Sequence, residues 1–191
     1  MKQLELLKEK LQTGEVYRRS DVARWSKSVD RDLQKLVDEG VLEKLSQGMY
    51  YVPAKSVFGN TPPKDEVIVK RFLNNDKFLI TSPNLYNTLG VGTTQLYNFK
   101  KVYNRKRHGY YQFGNQKFFF LVKPDFPDRL SPEFLLVDLM NDLDDLAEDQ
   151  VAVRASVSAK AVEMDASKLR EAVNRFGSIS TKKFFLPLIS Q

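Results

Sequence analysis

Apolar side chains recur at Val29, Leu33, Leu36 and Val37, with polar residues between them. On a helix of 3.6 residues per turn that spacing makes one stripe, so a helix is predicted between Ser26 or Ser28 and Gly40. Ser26 or Ser28 can cap it by accepting an orphan backbone N–H. Gly40 follows the last periodic residue, where a left-handed C-cap is needed. The period then changes. Val41, Leu42 and Leu45 lead to Gln47-Gly48, and Met49 to Val52 returns as an apolar, aromatic run. This predicts a hairpin with Gly48 at positive φ, ended by Pro53, which has no N–H for a ladder. Upstream, Leu4, Leu7 and Leu11 predict a helix over 2–12, broken at Gly14. Residues 15–19 read as an extended link. Ser20 then caps a second short helix, with Val22 and Trp25 on its core side.

Further along, 54–63 reads as a linker, with the turn pair Gly59-Asn60 and the stop Pro62-Pro63. Pro63 suits the first turn of a helix through Glu66, Ile68 and Leu73. A short strand is predicted at 77–81, then a helix from Ser82-Pro83 to Leu89. Gln95 to Tyr103 alternates as a strand, with Tyr97, Phe99, Lys101 and Tyr103 on one face. Residues 110–113 and 117–122 continue it as consecutive hairpins of an antiparallel sheet. Ser131 caps a helix to about Asp145. Residues 150–163 fit helix or strand. A helix from Asp165 to Phe176 ends at Gly177, and the apolar tail 178–191 must dock on its own domain or on a partner. The expected fold is α+β: a winged helix-turn-helix in 1–56, then a larger domain in 57–191 with an antiparallel sheet flanked by helices.

Composition narrows the chemistry. The 191-residue chain has no Cys, which removes disulfides, thiolate nucleophiles and zinc–thiolate sites and fits a cytoplasmic location. It has no apolar run of about 18 residues, so no membrane span is expected, and its charged start does not serve as a secretory leader. Net charge is +6, which permits a polyanionic partner. With its stripe inward, the helix ahead of Gly40 turns Lys27, Ser28, Asp30, Arg31, Gln34 and Lys35 outward. Lys27, Ser28, Arg31, Gln34 and Lys35 can bond base edges or phosphates in a major groove. Arg18, Arg19, Arg24 and Lys44 suit phosphates, and Gln47 and Gly48 the tip of a wing.

Rival chemistries are weaker. Gly90-Val91-Gly92 lacks the Lys-Ser/Thr pair of a phosphate loop. His108 is the only histidine, so neither a metal site nor a His-based dyad is expected. No Asp or Glu occurs between 77 and 124, while Lys100, Lys101, Arg105 and Lys117 supply base. That stretch could bind RNA by stacking on exposed rings, though the rings read better as core. The acidic residues Asp138, Asp142, Asp144 and Asp145 read as a solvated face or a docking surface rather than a metal or nuclease site. No cofactor is implied.

The run Leu45-Ser-Gln-Gly-Met-Tyr-Tyr-Val-Pro, then Ser56-Val-Phe-Gly59, Pro62-Pro63 and Glu66-Val-Ile resembles the AbiEi-like regulators, antitoxins of type IV toxin–antitoxin systems. The Ser131-Pro132-Glu133 helix start and Lys182-Lys-Phe-Phe-Leu-Pro-Leu-Ile add to the resemblance. It implies an N-terminal winged helix-turn-helix that binds inverted repeats in its own promoter. It also implies a C-terminal domain that counters a nucleotidyltransferase-like toxin. A solitary repressor without a toxin remains open on the same residues.

Overall fold

In the computed structural model, which describes residues 2–189, the stripe of Val29, Leu33 and Leu36 lies buried on a helix, Val29–Asp38. That helix belongs to the first of two units. The first runs to Asp76 and takes in Tyr111–Lys117; the second is Lys77–Tyr110 with Phe118 onward. Both are mixed α+β and contain antiparallel strand pairs.

The first unit begins α1 (Lys2–Lys8), β1 (Val16–Arg18), α2 (Arg19–Val22), α3 (Val29–Asp38), β2 (Glu43–Ser46) and β3 (Met49–Tyr51). The three strands form an antiparallel sheet in the order β1-β3-β2, with Val16 and Glu43 both opposite Tyr51. Leu7, Val22, Leu33, Leu36 and Leu42 make its core. Each fully buried leucine contributes about 1.5–3 kcal/mol. Gly40 (φ 69°) and Gly48 (φ 72°) take the left-handed conformations expected of the helix end and the turn.

Three details differ from the sequence reading. Helix α1 stops at Lys8, because Lys10 N–H bonds Leu7 C=O and Gln12 N–H bonds the Tyr17 hydroxyl instead of continuing the helix. Helix α2 starts at Arg19 with Arg18, not Ser20, as N-cap: the Asp21 carboxylate reaches back 2.9 Å to Arg18 N–H. The expected linker holds a hairpin, β4 (Ala54–Ser56) with β5 (Gly59–Thr61). Helix α4 (Asp65–Leu73) follows with Lys64 as N-cap, so Pro63 lies just outside its first turn. Arg71 on α4 reaches Glu15 at 3.7 Å and Asp21 at 3.6 Å and covers the Tyr17 ring. These contacts hold α4 to the first unit, and the chain divides at Asp76 rather than at the expected 56/57.

The second unit contains β6 (Leu79–Thr81), a 3-10 helix (Pro83–Leu89) and β7 (Lys100–Asn104), with β8 (Gly109–Phe113) as far as Tyr110 and β9 (Gln116–Val122) from Phe118. Then come α5 (Pro132–Asp142), a 3-10 turn (Leu143–Asp145), α6 (Gln150–Glu163), α7 (Ala166–Phe176) and α8 (Ile179–Phe185). The ambiguous stretch 150–163 is thus a helix. Sheet order is β6-β7-β9-β8. The antiparallel β6–β7 pair fits the expectation, but β7 and β9 run parallel, with Val102 opposite Phe120. Strand β8 therefore skips its predicted neighbour β7, and the expected run of consecutive hairpins does not form.

The crossing is fixed by Asn104, which is 1% exposed. Its amide nitrogen donates to the carbonyls of Val102, Arg107 and Leu121, and its Oδ1 accepts from Lys106 N–H and Arg107 N–H. Replacing Asn104 with Ala strands several of those groups and should cost about 1–3 kcal/mol in urea unfolding. A change under a few tenths would remove Asn104 from this role. Residues 95–99 are not a strand either. The Asn84 side chain takes both Tyr97 N–H (2.7 Å) and Tyr97 C=O (3.0 Å), the groups a ladder would need.

Leu136, Val137 and Leu139 of α5 pack with Val157 of α6, Leu169 and Val173 of α7, and Phe185 of α8. Gly177 closes α7 as expected, though with φ −70°; a Cβ there would lie 2.6 Å from Val173 C=O. The apolar tail docks on its own unit, with Phe185 and Ile189 buried. Ser190 and Gln191 lie outside the described residues. Among the described residues no helix is long and apolar enough to cross a membrane.

Candidate functional sites

Two places in the molecule concentrate chemistry, one in each unit. In the first unit, helix α3 buries its apolar stripe and leaves Asp30, Arg31, Gln34, Lys35 and Asp38 exposed, with Lys27 exposed in the turn ahead of it. Arg31, Gln34 and Lys35 lie three and four residues apart and share a face. The helix start is held from below. Buried Ser26 donates 2.6 Å to the buried Asp32 carboxylate and accepts the Ser28 N–H. Ser28 occupies the N-cap position without a side-chain cap bond and is half-buried.

The flanking cations divide. Arg19 is exposed but grips Asp30 bidentately, 2.7 Å on each arm. That bond holds the Asp30 carboxyl below its usual range and raises the Arg19 guanidinium. Arg18 is turned inward onto Asn74 at 3.2 Å and Asp21 at 3.5 Å, so its guanidinium already has protein partners. Arg24, Lys44 and Gln47 are exposed. The Gly48 carbonyl accepts Arg19 N–H at 2.8 Å, tying the β2–β3 turn to the start of α2. Arg31, Gln34 and Lys35 thus share an exposed face of α3, and Lys27 is exposed in the turn ahead of it. Gln34 also donates 2.7 Å to Asp38.

The second place was not foreseen. Asp138, expected on a solvated acidic face, is 1% exposed, and Lys101, counted as surface base, is 2% exposed. The Lys101 ammonium spends its three N–H donors on Asp138 (3.0 Å), Asp142 and the Tyr86 hydroxyl (3.1 Å). Tyr86 also lies 2.7 Å from Asp138 and 2.8 Å from Asp142, and Tyr103 donates to the other Asp138 oxygen. Burial pulls the Lys101 pKa down, but the Asp138 and Asp142 charges outweigh it and the net shift is upward. Burial raises the Asp142 carboxyl, against the opposing pull of Lys101. Burial and the same carboxylates push both tyrosine hydroxyls up. Lysine stays charged here, and the tyrosines stay neutral.

Lys101, Tyr103 and Asp142 of this cluster floor a cavity of ≈ 780 Å³. Tyr97, Phe99, Tyr110 and Phe119 wall it, with ring centroids 6.0, 6.0 and 4.3 Å apart in that order. Lys123, Asp125, Asp145 and Arg175 stand at the exposed mouth. Arg175 is held by Asp125 (3.0 and 3.2 Å) and Glu171 (3.2 Å). Asp142 commits only Oδ2 to the floor; its Oδ1 has no bond among the described residues. One signal could have located this site. Asp138 interrupts the apolar run from Phe134 to Met140, and a carboxylate there needs a buried cation. Among the described residues no group of three or more His, Cys, Asp or Glu is placed to hold a metal ion. No family model and no curated protein matches this chain.

Proposed function

We propose that this chain is a regulator that binds promoter DNA through a winged helix-turn-helix in its first unit. The observation carrying the reading is the exposed set Lys27, Arg31, Gln34 and Lys35 on a helix whose other face is buried. The element order α1-β1-α2-α3-β2-β3 and the β1-β3-β2 sheet support it, because that order presents a third helix and a two-stranded wing. Arg31 and Gln34 read base edges, and Lys27 and Lys35 neutralise phosphates. Lys44 and Gln47 on the β2–β3 hairpin contact the flanking backbone. Arg19 contributes once a phosphate displaces Asp30.

The second half of the proposal is that the protein is an AbiEi-like antitoxin, with the second unit countering a nucleotidyltransferase-type toxin. It is supported by the wing and tail segments that resemble that group. Co-expression with the neighbouring reading frame tests it: growth restored by residues 77–191 supports the role, and toxicity unchanged by the whole chain removes it. An RNA platform on the sheet has less support, since Lys101, Tyr103, Phe118 and Phe120 are buried.

The direct test of the head is Arg31→Ala. Arg31 is 69% exposed at its side chain and among the described residues holds only a 3.7 Å ionic contact to Asp32, so its loss should leave the fold intact. Specific binding to the upstream duplex should weaken by about 1–3 kcal/mol, as expected when one base-reading arginine is removed. Unchanged affinity in a gel-shift titration would take Arg31 out of the interface.

A further inference from the structure

We propose that the cavity of the second unit binds a small organic cation with an apolar or aromatic body. The proposal is independent of the DNA-reading head and rests on residues of the second unit alone.

Its size comes first. A cavity of ≈ 780 Å³ lies within the range that takes small-molecule ligands. Its walls come next. Tyr97, Phe99, Tyr110 and Phe119 form a continuous row of rings, and ring faces attract cations through their quadrupoles. Tyr110 keeps 69% of its surface exposed in spite of its stack on Phe119, so one ring face remains available.

Charge selects the sign of the ligand. An anion would need a free donor at the floor, and Lys101 has none, since its three N–H groups are already bonded. Its positive charge is matched by two carboxylates rather than one. Arg175 is likewise enclosed by Asp125 and Glu171. What remains unanswered is Asp142 Oδ1 at the floor and the Asp145 carboxylate at the mouth, both lining the cavity. Two acceptors beside a row of rings suit an ammonium, guanidinium or amidinium group. Among the described residues Lys123 at the mouth is the one lining cation whose side chain has no bonded partner, and it lies in solvent, where it is screened.

The test is isothermal titration of the full chain with benzyltrimethylammonium, benzyl alcohol and benzoate at equal ionic strength. Saturable binding of the cation, at least tenfold tighter than of the neutral and anionic analogues, is expected. Tyr110→Ala and Asp145→Asn, both at exposed positions, should each weaken the cation about fivefold or more. Circular dichroism confirms that each variant is folded. Lys123→Ala should leave cation binding equal or tighter. Binding of benzoate in preference, no saturable cation binding, or cation binding indifferent to both weakening variants would each overturn the proposal.

Discussion

Replacing Lys101 with Met lowers the unfolding free energy by about 3–5 kcal/mol, the usual cost of leaving a buried charge without its partner. Among the described residues the lysine is the sole cation bonded to Asp138 and Asp142, and Asp138 is almost fully buried. Met keeps the length and volume of the side chain, so the loss is electrostatic rather than a cavity. Denaturant unfolding followed by far-UV circular dichroism measures it, and a loss under about 1 kcal/mol would contradict the account. The pH dependence carries a second signature. The Asp142 carboxyl already has a raised pKa in the fold, so the fold favours its protonated form. For such a group the stabilising contribution is fully present below the unfolded value, about 4, and is lost as pH rises through the folded value. Removing Lys101 takes away the charge that opposes this, so the Asp142 carboxyl rises further. The deficit of the variant should therefore be largest near neutrality and shrink as the solution is acidified. Adding Asp138→Asn to Lys101→Met should recover part of the loss.

Leu36→Ala costs the first unit about 2–5 kcal/mol through lost burial and the cavity left behind. Leu36 is fully buried beneath α3, and its carbonyl also accepts the N–H groups of Val41 and Leu42 that close the helix. The single tryptophan, Trp25, packs against the same core. Its fluorescence therefore follows this unit during a urea titration. The midpoint should fall sharply, and binding to DNA should fall with the folded fraction. A tryptophan transition that stays put would mean that the core does not hold α3.

What could be read from the chain depended on whether the signal was local. The stripe Val29, Leu33, Leu36 has the helix period, and Gly40 and Gly48 sit where positive φ is needed, so α3 and its hairpin were legible. The parallel β7–β9 pairing was not. Alternation tells which side chains share a face and is silent on which strand lies alongside. The same limit explains Lys101. Its place on one face of β7 with Tyr103 was legible, and both line the cavity together with Tyr97 and Phe99, which lie ahead of the strand. Its burial depended on Asp138, thirty-seven residues later, which no local pattern connects to it. The bond from the Arg18 guanidinium to Asn74, at the end of α4, was beyond local pattern for a related reason. Arg31 and Lys35 were placed outward by the helix period alone, and they are exposed.

The central claim is that the first unit reads double-stranded DNA. The most direct measurement is the affinity of the whole chain for the duplex of its own upstream region, against a scrambled duplex and a matched single-stranded RNA at one fixed salt concentration. The account predicts that the upstream duplex binds about a thousandfold or more tighter than the scrambled one, with the RNA no better than the latter. Equal affinity for all three would contradict it.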